Sequence, residues 1–329
     1  LALIVDDVVE EFVSAWMPRH VTLAPVASTS GTSSRPALGA AIRVRKAAAL
    51  EDRAQAWGRR SRGAPVIATF GPVSIRPIPD GLALDAGRAG ARGVVHYATL
   101  DAELEIGAVA PPDVIAVHAM LTVATAALLG RLGRALVHAA AVVAPDGGAW
   151  LLAGDSHAGK STTCATLLEA GWRYCSDDHV VVSAAPSSAV QVEGWPRVLH
   201  LDNGWDGGIP EGGLRASVDS FERWPGVWLA SAPVMGVLLP MVHPREATRL
   251  LPCTAATRLS ALIRQSPWLF ADARAAPRVL ALLRRIALLP GAVLQLGDDS
   301  FHQPLRLRDA LAPLTGEVPT EHRDPDSLS

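Results

Sequence analysis

The chain has 329 residues, of which 49 % are hydrophobic and 19 % charged, and its formal net charge at pH 7 is −2. This length is enough for one large or two modest domains, and the lack of basic excess argues against a general nucleic-acid-binding surface. Cys164, Cys175 and Cys253 show no CxxC spacing, which argues against a disulfide framework or a structural zinc site. With no basic-then-apolar secretory pattern at the start of the sequence, these features predict a cytoplasmic protein.

The N-terminal third has two kinds of predicted structure. Residues 6–17 have helical spacing, and residues 28–36 read as a polar linker or loop. From residue 64 to residue 109, short β-rich runs are separated by Gly, Pro and Asp, which predicts a small β-layer. We therefore expect residues 1–110 to form an N-terminal helix and a β-rich region, whose role the sequence does not indicate.

One apolar stretch, from Val114 to Leu129, has a composition that a membrane span could also have. Its sixteen residues fall short of the roughly 20 that cross a bilayer, and His118 lies inside it. Small and large residues alternate on all faces, which is typical of a buried helix. We predict a buried helix and no membrane association.

A strand, loop and helix alternation follows and predicts an α/β core over residues 111–312. Residues 313–329 form a polar tail that we expect to be disordered. The predicted strands are 135–144, 149–154, a strand within 172–184, 234–240 and 291–297, with a hairpin turn at 145–148 and helices over 160–171, 254–265 and 277–289.

The stretch GDSHAGKS (154–161) fits the pattern G-x-x-x-x-G-K-[ST]. In such a loop, backbone N–H groups and the start of the following helix hold phosphate oxygens. Gly154 and Gly159 allow backbone angles and close approach that a Cβ atom would block. Lys160, one of only two lysines in the chain, can reach the β- and γ-phosphates, and the Ser161 hydroxyl can bind Mg²⁺. The residues expected to bind ATP or GTP are Gly154, Asp155, Ser156, His157, Ala158, Gly159, Lys160, Ser161 and Thr162.

A carboxylate pair, Asp177 and Asp178, lies one helix and one turn after the loop, with Asp177 17 residues beyond Lys160. This spacing predicts that the pair lies near the bound phosphates. One carboxylate could hold Mg²⁺, and the other could accept a proton from an attacking hydroxyl. The second such pair, Asp298 and Asp299, has no similar neighbour and is expected in a loop.

These motifs resemble the catalytic domain of bacterial HPr kinase/phosphorylases and the wider group of related kinases, which includes those that modify lasso-peptide precursors. The matching stretches are VHAAAV (137–142), GDSHAGKST (154–162), LLEAGWRYCSDDHVVV (167–182) and GWPR (194–197). The resemblance covers roughly residues 110–305. It implies a phosphate-loop core of the kind shared by HPr kinases and phosphoenolpyruvate carboxykinase, with residues 1–110 outside it.

The resemblance also implies roles for individual residues. Asp177 would be the base, His138 would lie near the transferred phosphate, and Lys160 would act on the same phosphate. Ser161 and Asp178 would lie near the metal. The chain departs from the usual HPr kinase loop at two positions. His157 stands where a glycine is usual, and Thr162 stands where an acidic residue is usual.

Further residues have weaker signals. Arginines that could stabilise the transferring charge are Arg197 and Arg215. For the tryptophans Trp195, Trp205, Trp224 and Trp228 we favour core or loop packing over a peptide-docking surface. HPr kinases assemble through their catalytic domains, so the resemblance implies a homo-oligomer in which a neighbouring subunit supplies an arginine.

The sequence as a whole predicts a nucleotide-dependent kinase that transfers the γ-phosphate to a hydroxyl, with a serine of a peptide or protein as the expected acceptor. Two alternatives remain open at this point, a small-molecule kinase and a non-catalytic ATP-binding regulatory module. The presence of both Asp177 and Asp178 favours catalysis over the regulatory module.

Overall fold

The computed structural model describes most of the chain in two compact units. One unit comprises Leu1–Leu136 with Ser266–Leu282, and the other comprises Val137–Gln265 with Leu283–Ser329. Each contains β-sheet and α-helix, so the predicted α/β class is confirmed. The described residues are 2–5, 24–25, 40–47, 64–87, 90–107, 114–185, 189–195, 199–201 and 216–316.

Several predictions concern residues outside this part of the chain. These are the helix over 6–17, the linker over 28–36, Arg197, Arg215, Trp205 and the tail beyond residue 316.

The first unit contains an eight-stranded sheet in the order β2-β1-β3-β8-β7-β6-β5-β4. The five strands from β4 to β8 form an antiparallel meander, which confirms the β-layer predicted between residues 64 and 109. On the other side, β3 pairs with β8 and β1 pairs with β3, both in parallel. The strands are β1 (Ala2–Val5), β2 (Ala24–Pro25), β3 (Ala41–Ala47), β4 (Ala68–Phe70), β5 (Val73–Ile78), β6 (Gly81–Asp85), β7 (Ala91–His96) and β8 (Asp101–Gly107).

The apolar helix α1 (Val114–Arg131) packs against β5, β7 and β8 of this sheet. Its length and composition would allow it to cross a membrane, but 78 % of it is buried inside the structure. It is therefore a core helix, as predicted, and its apolar character on all faces fits the burial of most of its residues. Because α1 packs on this sheet, the first unit extends to Leu136 and does not end at the predicted boundary at residue 110.

The end of α1 is tied to a later segment of the same unit. Arg131 forms an ion pair with Asp272, and its guanidinium lies 3.8 Å from the centre of the Tyr97 ring. A 3₁₀ helix, Pro267–Ala271, packs against α1 and β4. These contacts explain why residues 266–282 belong to the first unit although they lie far along the chain.

The second unit is built around a nine-stranded sheet with the path β12-β10-β11-β17-β14-β13-β9, in which β19 also pairs with β17 and β18 with β19. The strands are β9 (Ala135–Val137), β10 (Ala139–Val143), β11 (Ala149–Ala153), β12 (Arg173–Ser176), β13 (Val180–Ala184), β14 (Val190–Gly194), the separate pair β15 (Leu199–Leu201) and β16 (Ala216–Val218), β17 (Ser231–Val242), β18 (Arg249–Pro252) and β19 (Gly291–Leu296). The helices after α1 are α2 (Lys160–Glu169), α3 (Ser220–Arg223), α4 (Ala255–Arg264), α5 (Ala276–Ala287), α6 (Asp298–His302) and α7 (Pro304–Thr315).

Three neighbouring strands, β11, β17 and β19, run parallel, so their carboxyl ends meet at one edge of the sheet. The glycine-rich loop leaves β11 at this edge and leads directly into α2. Ligands of α/β proteins bind outside the carboxyl ends of parallel strands. The fold therefore places the loop where a ligand site is expected.

Three predictions differ from the structure. The strand expected over residues 135–144 is interrupted at His138, because the His138 N–H bonds to the Gln265 carbonyl at 2.8 Å and leaves the sheet ladder. Asp298 and Asp299 do not lie in a loop but begin α6, where acidic side chains favour a helix N-terminus. The last helix continues to Thr315, beyond the predicted start of the tail at residue 313.

The core of the second unit lies around α2. This helix packs on β10 and also contacts β12, β15 and α7. Trp172 and Tyr174 are fully buried here, and Trp224 and Trp228 are partly buried against the same cluster. Core packing is thus confirmed for these last two tryptophans.

Candidate functional site

The loop between β11 and α2 needs glycine at position 159 for two reasons. Gly159 has a φ of +93°, in the left-handed region that disfavours side chains. A Cβ atom there would also lie 2.9 Å from Leu296 Cδ1 and 3.0 Å from Val242 Cγ2. His157 also has a positive φ, +65°. The loop backbone therefore holds a conformation that few sequences adopt, close against β17 and β19.

Lys160 folds back over this loop. Its Nζ atom donates hydrogen bonds to the carbonyl oxygens of Gly154 at 2.8 Å and Asp155 at 3.1 Å. Burial lowers the pKa of Lys160, while the nearby carboxylates of Asp178 and Asp177 act in the opposite direction. Lys160 is therefore a buried cation held by two backbone carbonyl oxygens of the glycine-rich loop.

Asp177 contacts the hydroxyl of the loop serine. The Ser161 Oγ atom donates to Asp177 Oδ2 at 2.9 Å. Asp177 is only 4 % exposed, and its Oδ1 atom is buried without a hydrogen-bond partner among the residues that the structure describes. Burial first, and then the charge of Asp178, raise the pKa of Asp177 from 3.8 to about 7, against the opposing effects of Ser161 and Lys160. The charge of this buried carboxylate is therefore only partly offset by its neighbours.

Asp178 has a different environment, because it lies between two imidazoles. His138 Nε2 is 3.1 Å from Asp178 Oδ1, and His179 Nδ1 is 2.8 Å from Asp178 Oδ2. The two rings stack with centroids 5.5 Å apart. Burial acts to raise the pKa of Asp178, but the charge of His179 and the hydrogen bonds to both histidines outweigh it and hold that pKa well below 3.8. Asp178 therefore stays ionised.

The turn that carries the carboxylate pair is fixed by its neighbours. The Ser176 hydroxyl lies within hydrogen-bond distance of the carbonyl oxygens of His179 and, at 2.8 Å, Trp195, and shares its one proton between them. Gly194 allows close approach, since a Cβ atom there would lie 2.2 Å from the Cys175 carbonyl oxygen. The ends of β12 and β14 are therefore held close together next to Asp177 and Asp178.

A glutamine that sequence reasoning missed completes the arrangement. Gln265 Nε2 donates to Asp155 Oδ1 at 2.9 Å, and the Gln265 carbonyl accepts the N–H of His138. Gln265 lies 110 residues from Asp155 in the chain and belongs to no recognisable motif. Only the fold reveals this contact.

The structure thus brings together Lys160, Ser161, Asp177, Asp178 and His138, which the sequence singled out. The Asp155 carboxylate, predicted with the nucleotide-binding residues, bonds to Gln265. The remaining predicted loop residues, Ser156, His157, Ala158 and Thr162, lie in the loop or the first turn of α2 and are exposed or half-buried.

The oxygen atoms of this site suit a hard cation such as Mg²⁺. The buried Asp177 Oδ1 has an unused lone pair, and the Ser161 hydroxyl lies on the other oxygen of the same carboxylate. Mg²⁺ is bound by one or two such oxygens together with phosphates and water. Among the described residues, no group of three or more His, Cys, Asp or Glu side chains forms an all-protein metal site.

The chain matches no protein-family model and no curated protein sequence. Among solved structures it is similar to the HPr(Ser) kinase/phosphatase from Coxiella burnetii, with 18 % sequence identity and a TM-score of 0.25. The match covers 36 % of this chain and 65 % of that chain, so it spans less than two thirds of the kinase/phosphatase. The function therefore has to be argued from the site itself.

Proposed function

We propose that the chain is a nucleotide-dependent kinase that transfers the γ-phosphate of ATP or GTP, with Mg²⁺, to a hydroxyl. A serine of a peptide or protein is the expected acceptor. The contact that supports this most directly is the 2.9 Å hydrogen bond from Ser161, in the glycine-rich loop, to the buried carboxylate of Asp177. The adjacent pair of Asp178 and His138 adds a group able to handle a proton, which a purely regulatory nucleotide site would not need.

On the phosphate side, three residues would act together. Lys160 would exchange its two carbonyl contacts for phosphate oxygens, and backbone N–H groups of the loop would bind the remaining oxygens. Ser161 and Asp177 would hold Mg²⁺, which when bound neutralises charge that develops on the phosphates. A nearby cation would also relieve the unfavourable burial of the Asp177 charge.

On the acceptor side, Asp178 would orient His138. With the Nε2 proton of His138 held by Asp178, the Nδ1 lone pair is available as a base. As the acceptor oxygen attacks the γ-phosphorus, its proton passes to His138 Nδ1. The bond between the γ-phosphorus and the bridging oxygen breaks, and the nucleoside diphosphate leaves. The His138 side chain is 32 % exposed, so an acceptor can reach it.

These contacts support exchanging the roles that the sequence predicted for the two carboxylates. The resemblance implied Asp177 as the base and Asp178 as a metal ligand. In the structure Asp177 contacts the loop hydroxyl, whereas both oxygens of Asp178 are engaged by histidines. We therefore propose Asp177 for the metal and the Asp178–His138 pair for the proton.

The experiment that tests the function has two stages. Calorimetric titration with ATP and with GTP, each in millimolar Mg²⁺, should show saturable binding to the wild-type protein. Transfer of a labelled γ-phosphate is then measured by mass shift on serine-containing peptides, with the matching alanine peptides as controls. If neither nucleotide binds, the proposal is wrong. If binding occurs with label transfer to serine peptides but not to alanine peptides, it is supported.

A further inference from the structure

Gln265 joins two parts of the candidate site through different atoms. Its side-chain amide donates to Asp155 Oδ1 at 2.9 Å, and Asp155 belongs to the glycine-rich loop. Its backbone carbonyl accepts the His138 N–H at 2.8 Å. Gln265 is 5 % exposed, so its own end of both bonds is shielded from water, whereas Asp155 lies on the exposed side of the loop.

The side-chain bond of Gln265 holds a carboxylate close to where phosphates are expected to bind. Asp155 places a carboxylate in a loop whose composition suits polyphosphate, and like charges close together repel each other. A neutral amide donor fixes one carboxylate oxygen without adding a cation that would compete for the phosphates. The Asp155 carbonyl oxygen meanwhile accepts from Lys160 at 3.1 Å. The residue that holds Asp155 therefore also affects where the loop lysine lies.

The backbone bond acts on the other side of the site. His138 lies between β9 and β10, where its N–H bonds to Gln265 and not to a neighbouring strand. The His138 ring then contacts Asp178 at 3.1 Å. A continuous series of bonds therefore runs from Asp155 through Gln265 to His138 and on to Asp178.

We propose that Gln265 is a positioning residue that fixes the glycine-rich loop and His138 relative to each other during phosphoryl transfer. This inference rests on the proposed kinase function of the same site. A displacement of about 1 Å between reacting groups can lower a rate by about 10²-fold while binding is retained. Loss of the Gln265 contact should therefore lower kcat far more than it changes KM for the nucleotide.

The test exchanges the donor and the acceptor of the hydrogen bond between Gln265 and Asp155. Gln265→Glu sets two carboxylates against each other, while the double variant Asp155→Asn/Gln265→Glu restores one donor and one acceptor with the donor now at residue 155. Phosphate release from ATP, with water as acceptor, gives kcat and KM without knowledge of the natural substrate. We expect Gln265→Glu to lower kcat at least about 10-fold with KM changed less than about threefold, and the double variant to recover most of kcat.

A second measurement does not depend on activity. Hydrogen exchange of the His138 amide should be faster in Gln265→Glu than in wild type, and slow again in the double variant. Gln265→Met, which removes the donor without adding charge, provides the same comparison if Gln265→Glu does not fold. The matched control is Gln295→Met, since Gln295 is another buried glutamine whose Nε2 donates to a carbonyl oxygen, that of Ala247. It should lower stability without changing kcat or exchange at His138.

The outcomes separate this inference from the proposed function. Unchanged kcat and unchanged His138 exchange in Gln265→Glu and Gln265→Met would overturn the positioning role, even with ATP turnover intact in the wild type. Equal losses in Gln265→Glu and in the double variant would also overturn it. Failure of the wild type to bind either ATP or GTP would instead overturn the proposed function.

Discussion

The two aspartates of the candidate site have pKa values that are shifted in opposite directions. On the loop side, Asp177 is buried beside a hydroxyl, one of its oxygens has no partner among the described residues, and its pKa is raised to about 7. On the histidine side, Asp178 contacts two imidazoles, and its pKa is held well below the usual range. Two adjacent aspartates can therefore differ in charge state, and so in chemical role, because their surroundings differ. A site with one buried carboxylate on the loop hydroxyl and one carboxylate held between two imidazoles suits chemistry that uses both a metal ion and a base.

The largest effect is expected when the proposed base on the histidine side is removed. His138→Gln removes the imidazole that we propose as the base, so phosphoryl transfer should fall by about 10²- to 10⁴-fold. Nucleotide affinity should stay close to the wild-type value, because the loop side is unchanged. ATP turnover and calorimetric titration measure the two quantities, with His96→Gln in the first unit as a control. A normal rate in His138→Gln would show that the imidazole does not take the proton.

The next largest effect is expected when the lysine on the loop side is removed. Lys160→Ala removes a charge-assisted contact to phosphate and should weaken ATP binding by about 100-fold or more. The other lysine of the chain, Lys46, gives the matched control, since Lys46→Ala should bind ATP as the wild type does. Calorimetry measures both affinities, and circular dichroism checks that each variant is folded. Equal affinities for the two variants would contradict the proposed phosphate site.

A third experiment tests whether Asp177 binds the metal while Asp178 positions the base. Asp177→Asn should raise the Mg²⁺ concentration for half-maximal turnover by about 10-fold or more, because an amide is a weaker ligand for a hard cation. Asp178→Asn should leave that concentration within about twofold and lower the maximal rate, because it removes the group that orients His138. Mg²⁺ titrations of ATP turnover measure both. The reverse pattern would favour the roles implied by the resemblance to HPr kinases.

The smallest effect concerns stability without Mg²⁺. Unfolded protein loses the Asp177 proton near pH 3.8, whereas the folded protein keeps it up to about pH 7. The folded state therefore binds more protons in this window, so its stability falls as pH rises from about 4 to about 7. With a limiting slope of about 1.4 kcal/mol per pH unit, we expect a loss of about 1 kcal/mol between pH 6 and pH 7.

Asp177→Asn should flatten this part of the pH profile, because an amide does not titrate. Urea unfolding in the presence of a chelator, compared between the wild type and this variant at pH 5, 6, 7 and 8, measures the difference. Parallel profiles would show that Asp177 is not the group responsible.

The parts of the site that sequence reasoning predicted are those encoded locally. The glycine-rich loop lies within eight consecutive residues, and its conformation depends on its own glycines together with one strand and one helix. The approach of Asp177 to Ser161 follows from a single intervening helix. These features need no knowledge of the rest of the fold.

The parts that sequence reasoning missed depend on contacts across long stretches of chain. Gln265 meets Asp155 only because β17, α4 and the intervening segments fold back to the loop. The interruption of the predicted strand at His138 depends on the same glutamine. The environments of Asp177 and Asp178 differ because of the surrounding burial and the approach of His138, and local spacing encodes neither of these.

The scarcity of lysine makes the buried amine of Lys160 a chemical reporter. Only two lysines occur in the whole chain, and the second unit contains just one of them. Because burial lowers the pKa of Lys160, a larger share of its amine is uncharged and nucleophilic than for an exposed lysine. A nucleotide carrying an acyl phosphate should therefore acylate this one side chain selectively. The resulting single mass tag would let ligand occupancy be followed in a cell extract without any knowledge of the natural acceptor.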